Sequence, residues 1–316
     1  MAVAVAAAVA AAAVVARYRP TNPTTTTSPS DPTARVDPMV AILSAVSAPG
    51  RPDRANEDGY GSVGRFAWVI DGATGLGDEE LLDAPSDAAW LTGALGDVLS
   101  ASAGDFTDPA ALLSHAAALC ERRFLAERRR APRERYEIPT AAVLLAHFGA
   151  GTVTIAEVGD CGAYFRAPDG AITRFGGTEA GRALEQSNAR NMMVPGRDRR
   201  SPDVLGFLRR VRNRANTPGG YSIFAPEAAA ASAARIFRHR ATAGDALFVS
   251  DGFEAAVDDY GLYDAAGLFA AVRDDIKLPL DALREVEDKD PDCQRFPRFK
   301  KSDDATAMLV RFGAVQ

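Results

Sequence analysis

Four short apolar runs in this chain carry aspartate at one end, and that repeated junction restricts the fold more than any other feature of the sequence. FAWVI over residues 66–70 leads into Asp71-Gly72, and TIAEV over 154–158 leads into Gly159-Asp160. ALFVS over 246–250 leads into Asp251-Gly252, while Asp303-Asp304 stands just ahead of ATAMLVRF. Short apolar runs bounded by Gly, Asp or Pro are the pattern of buried β-strands. Strand ends are rigid platforms, so carboxylates placed there can converge on one point. A fifth acidic site, Asn56-Glu57-Asp58, precedes the first of these strands.

Strands are expected over 66–70, 141–148, 153–158, 163–166, 246–250 and 307–312. Helical periodicity appears between them. Residues 86–101 place Trp90, Leu91, Ala94, Leu95 and Val98 close to a 3.6-residue period behind a Ser/Asp start, and 109–130 reads the same way. These two form an expected antiparallel helix pair, and 264–274 a third, shorter helix. Regular βαβ alternation is missing, so an α+β layering with mainly antiparallel sheets is predicted.

Folding is expected to begin near Met39. Ahead of it, a leader over 1–38 runs from an uncharged Ala/Val stretch into a Thr/Ser/Pro-rich segment. The apolar stretch is short of the ~20 residues of a bilayer span and lacks the basic start of a secretory signal. The Thr/Pro segment buries too little apolar surface to offset chain entropy, so the leader reads as disordered. From 39 to 316 a single domain is expected, interrupted at about 178–226 by an irregular insert with nine arginines between Arg182 and Arg214.

A net charge of −6 disfavours a nucleic-acid partner, since such affinity comes from Lys and Arg neutralising phosphates. Cys120, Cys161 and Cys293 are too widely spaced for a zinc or redox pair, which suits a reducing, cytoplasmic setting. His115, His147 and His239 form no zinc-hydrolase pair and read as packing or surface residues. No C-x-x-x-x-x-R phosphatase loop and no P-loop lysine is present. No membrane association is expected, and a monomer is.

A lone Asp-Gly pair is ordinary turn chemistry. The ordered set says more. Clustered carboxylates repel one another unless cations lie between them, and oxygen-only clusters suit Mg²⁺ or Mn²⁺. N-E-D, then D-G-x-x-G, G-D, S-D-G and D-D-x-T before a last strand together resemble the PPM (type 2C) family of Ser/Thr protein phosphatases, over about residues 50–312. The resemblance implies a four-layer sandwich, two central mainly antiparallel sheets flanked by helix pairs.

It further implies a site with two Mg²⁺ or Mn²⁺ ions and a position for a third. By motif, Asp71 bridges the metals, the Gly72 carbonyl adds a ligand, and Asp251 and Asp303 complete the first site. Glu57 and Asp58 hold metal-bound water, and Asp160 joins Asp251 at the third position. Arg54, with Arg51 behind it, is the nearest match to the family's phosphate-binding arginine. The implied reaction is hydrolysis of phosphoserine or phosphothreonine in a protein by metal-activated water, with no side-chain nucleophile. Two alternatives stay open: a small phosphorylated metabolite as substrate, or a pseudophosphatase that binds phosphoproteins. Ala73 stands where relatives often carry His or Met after D-G, and Cys161 replaces a serine after G-D. The arginine-rich insert, at the family's variable flap, is expected to recognise acidic or phosphorylated partners through Arg209, Arg210, Arg212 and Arg214.

Overall fold

FAWVI is apolar without alternation because both faces of its strand are covered. In the computed structural model, which describes residues 40–177, 179–194 and 197–313, this run lies in β3 (Phe66–Ala73). Phe66, Trp68 and Ile70 face one hydrophobic layer, whereas Ala67 and Val69 face another. β4 (Thr140–Phe148) is buried along its whole length in the same way, as the centre of a covered sheet requires. The expected leader over 1–38 lies outside the described residues.

Among the described residues ten strands form two five-stranded sheets, antiparallel at every pairing. The second sheet runs β2 (Asp58–Val63), β3, β4, β5 (Thr152–Val158) and β8 (Arg235–Arg240). The first runs β1 (Ala41–Ala48), β10 (Ala305–Phe312), β9 (Gly244–Val249), β6 (Gly162–Arg166) and β7 (Ile172–Gly176). Phe148, Phe165, Phe248 and Phe312 form the aromatic centre of the layer between the sheets. Helices α1 (Asp87–Ser102) and α2 (Pro109–Glu127) cover the second sheet through Leu91, Leu95, Leu112 and Leu113. The first sheet is covered by α5 (Asp251–Asp258), α6 (Ala265–Asp274) and α7 (Lys277–Asp288), through residues such as Phe253, Leu268 and Leu283. The expected α+β sandwich of four layers is therefore the observed one.

Helix starts follow local chemistry. The Ser86 hydroxyl accepts from the Ala89 amide at 3.1 Å, and Asp108 accepts from the Ala110 amide ahead of Pro109 at the first helical position. No helix among the described residues is long and apolar enough to cross a membrane.

The insert departs from its irregular reading. It holds two helices, α3 (Glu179–Met192) and α4 (Pro202–Arg212), around a small core of Ala189, Met193, Val204 and Phe299. Phe299 comes from the loop before β10 and stacks on Phe207 with ring centroids 6.2 Å apart. That loop is itself organised by the buried Asp290, which accepts from the amides of Gln294, Arg295 and Phe296 and pairs with Arg298 at 2.6 Å.

Candidate metal centre

Strand register determines which carboxylates meet. Asp58 and Asp71 are cross-strand partners on β2 and β3, and Ala142 lies opposite Asp71 on β4. The next turn, after β5, passes Gly159 at φ +102°, where a side chain would press into Ala142, and delivers Asp160 beside the same strand end. From the other sheet, β9 ends at Val249, Ser250 stands at the N-cap, and Asp251 opens α5. Asp71, Asp160 and Asp251 each offer one oxygen, and these three oxygens lie within 4.8 Å of one another. Asp303 lines the same cavity, of about 290 Å³.

The electrostatics are those of carboxylates pressed together. Burial, then the charges of Asp251 and Asp58, pushes Asp71 well above the usual carboxylate range. Asp160 rises to about 8 through burial and the charge of Asp251. Asp58 also rises to about 8, chiefly by burial, with Asp303 and Asp304 adding to the rise and the nearby Ser250 and Thr306 hydroxyls opposing it. Both Asp58 carboxylate oxygens are buried and lack a hydrogen-bond partner among the described residues.

An orphaned buried carboxylate beside three converging ones is a donor set suited to a cation. Every donor is oxygen, which matches Mg²⁺ or Mn²⁺. At Gly72 a β-carbon would stand 2.4 Å from the Glu57 carbonyl oxygen, so only glycine allows the close approach here. By donor type and spacing, these residues fit a divalent metal.

Glu57 is positioned from four sides. Its carboxylate accepts from the Thr74 hydroxyl at 2.6 Å, and its carbonyl accepts from the Gly72 amide at 3.1 Å and the Thr92 hydroxyl at 2.7 Å. Its own amide donates to Asp304 Oδ2 at 2.6 Å, while Asp304 Oδ1 accepts from the Gly50 amide at 2.7 Å. Asp304 thus clips the 50–57 segment to the start of β10, a role that the D-D motif alone does not separate from that of Asp303.

Asp303 has a different companion. The Lys300 ammonium lies 2.5 Å from its Oδ1, which also accepts from the Asp304 amide. Burial alone would raise this carboxyl, but Lys300 and Arg199 hold it below the usual range. Lys300, Arg199 and Glu185 line the acidic cavity without any signal in the sequence, and Arg212, one of the insert arginines expected to meet a partner, lines it too. Glu185 is pushed up to about 7 by burial and the charges of Asp251 and Asp303.

Arg51 and Arg54 line a neighbouring cavity of about 760 Å³, not the one that holds the three converging aspartates. Arg51 is exposed and makes a two-pronged pair with Asp53, at 2.9 and 2.6 Å. Of the insert arginines expected to meet a partner, Arg209 donates to the Leu76 carbonyl and pairs with Asp78, Arg212 donates to the Thr140 hydroxyl, and Arg214 donates to the Gly219 carbonyl. Their first use is to dock the insert and shape its own turns. Arg182 ties α3 to α5 through Glu254, at 2.9 Å, and Asp258, at 3.1 Å. Cys161 is buried, and its thiol is pushed up by burial and by the charge of Asp71, which makes it an inert packing group. His115, His147 and His239 all lie against phenylalanine rings, in keeping with a packing role.

No protein-family model and no curated relative matches the sequence. Solved structures do. The Mycobacterium tuberculosis serine/threonine phosphatase PstP/Ppp matches with a TM-score of 0.52 and 13% identity, over 88% of this chain and 100% of that one. The photosystem II phosphatase PBCP matches with a TM-score of 0.51 and 14% identity, over 87% of this chain and 100% of that one. At such identities the likeness establishes the fold, which is that of the PPM-type phosphatases.

Proposed function

We propose that this chain is a metal-dependent protein serine/threonine phosphatase, a reading carried by the convergence of Asp71, Asp160 and Asp251 at strand ends of a PPM-type sandwich. Asp71 and Asp251, with Asp303 and the Gly72 carbonyl, would hold two divalent ions, Mg²⁺ or Mn²⁺, and Asp160 with Asp251 would offer a third position. Bound there, such ions supply a water of lowered pKa and neutralise charge on the phosphoryl oxygens. Phosphoryl transfer asks mainly for positioning and charge stabilisation, so a side-chain nucleophile is not needed.

The remaining residues position and shield. Glu57, oriented by Thr74 and by the Asp304 clip, and Asp58, aimed from β2, present carboxylate oxygens behind the primary ligands. They can hold ordered water in place, and outer-shell partners of this kind are worth 10–100-fold in metal affinity or activity as an order of magnitude. Leu208, Ile223 and Phe299 furnish apolar wall to the cavity, which limits water around the reacting phosphate. The adjoining larger cavity shares Arg199, Lys300 and Asp303 with the first and gives room for residues flanking a phosphoserine.

Hydrolysis of an aryl phosphate and of a phosphoserine peptide, with Mn²⁺ or Mg²⁺ and again after chelation, tests the reading. Turnover should require the metal and be lost in Asp71→Asn and Asp251→Asn. Activity that survives the chelator or both substitutions removes the metal mechanism. Turnover of small phosphorylated metabolites without turnover of the peptide removes the protein-substrate assignment.

A further inference from the structure

A guanidinium inside a protein is ordinarily matched by a carboxylate. Two arginines of the insert are not. Arg199 donates one N–H to the Thr74 carbonyl at 3.0 Å, and its other donors meet no hydrogen-bond or ion-pair partner among the described residues. Arg212 donates to the Thr140 hydroxyl at 2.9 Å and stands beside the Tyr221 hydroxyl, again with no carboxylate in ion-pair contact among the described residues. Both line the cavity that contains Asp71, Asp160, Asp251 and Asp303. By contrast Arg51, on its exposed turn, is already occupied by Asp53.

We propose that the substrate phosphate is clamped by Arg199 and Arg212, carried in by the insert, and not by Arg51. The proposal rests on the phosphatase reading above.

Burial, followed by the like charge of Arg212, pushes Arg199 down to about 10, which is the mark of a cation held without a contacting counter-ion. Holding two such charges close together costs free energy that a shared anion recovers. A phosphate with its oxygens toward both guanidiniums accepts charge-assisted hydrogen bonds from each, and a planar fork suits that geometry better than an ammonium. The aspartates repel the same anion unless their own charge is cancelled, so the arginines and the metal centre bind phosphate from opposite sides. The Arg199 contact with Thr74 adds a link. Thr74 donates its hydroxyl to Glu57, so the clamp and the carboxylate behind the metal ligands share one scaffold.

The test uses the full chain loaded with Mn²⁺, titrated with inorganic phosphate in a calorimeter, alongside turnover of an aryl phosphate. Arg199→Ala and Arg212→Ala are expected to weaken phosphate about 10- to 100-fold each, as loss of charged hydrogen bonds implies. KM should rise by a similar factor, while Mn²⁺ affinity and melting temperature stay close to wild type. Arg199→Lys is expected to recover part of the loss, because it keeps the charge and not the fork. Phosphate binding at wild-type strength in both alanine variants, or a loss confined to Arg54→Ala, overturns the clamp. Wild-type protein that binds phosphate through Arg199 but turns over no phosphoester keeps the clamp and overturns the phosphatase reading. Turnover without any Arg199 or Arg212 effect does the reverse.

Discussion

Asp58 offers a direct measurement of what the carboxylate cluster costs the fold when no cation neutralises it. Its carboxyl is buried, lacks hydrogen-bond partners and is raised from 3.8 to about 8. An acid whose folded-state pKa lies above its unfolded value stabilises the fold fully below the unfolded pKa, and that stability is lost as pH rises through the folded pKa. The window therefore runs from about pH 4 to about pH 8. Inside it a single such group removes about 1.4 kcal/mol per pH unit. Between pH 6 and pH 7.5, metal-free protein should lose about 2 kcal/mol through Asp58, lowering a urea midpoint by roughly 0.5–1 M. Asp58→Asn should flatten that part of the slope. Saturating Mn²⁺ should oppose it, because bound metal selects the ionised carboxylates. Urea titrations in chelator at several pH values, for wild type and Asp58→Asn, give the answer. Equal pH slopes in the two proteins would show that Asp58 does not titrate in this range, and the argument from its burial would fail.

Three other substitutions probe how the site is supported. Asp304→Ala removes the acceptor shared by the Gly50 and Glu57 amides and should cost about 2–4 kcal/mol in urea unfolding, with Asp304→Asn milder. Gly72→Ala forces a β-carbon against the Glu57 carbonyl; Mn²⁺ affinity should fall at least about tenfold in calorimetry while the circular dichroism spectrum is retained. Glu254→Ala strips the partner from Arg174, Arg182 and the Tyr164 hydroxyl around a fully buried carboxylate, and should destabilise by about 3–5 kcal/mol in thermal or urea melts.

The legible parts of the sequence were those whose environment is uniform. β3, β4, β5, β6, β9 and β10 lie in the sheets' buried stretches and read as continuous apolar runs. β2 carries Gly59 and Gly61, and β8 reads RIFRHR with its charges in solvent, so neither shows a clean strand period. The helix α7 hides its amphipathic face behind Pro279 in the first turn, which reads locally as a break. The helices of the insert are hard to read locally because Gly, Asn and Pro lower the helix signal, while the two are held by Phe299 from a loop far along the chain.

The site divides in the same manner. Asp71, Asp160 and Asp251 stood out because each follows a strand. Asp304 did not, since its partners Gly50 and Glu57 lie about 250 positions away. Arg199 is one of nine similar arginines of the insert, and half-burial without a contacting carboxylate, which it shares with Arg212, is visible only in the fold.

The place of β10 bears on when the site comes into being. β10, which follows all the other described strands in the chain, is inserted between β1 and β9, and it brings Asp303 and the Asp304 clip with it. Until then the first sheet is divided, Glu57 lacks its amide anchor, and the aspartates from the two sheets have no common frame. Loop closure over such sequence separations is a slow, late event. A nascent chain can therefore assemble the β2–β5 sheet and its helices well before it can bind metal. Truncation between Asp288 and Asp303 should release a protein that keeps its helical segments but lacks both Asp303 and the Asp304 clip.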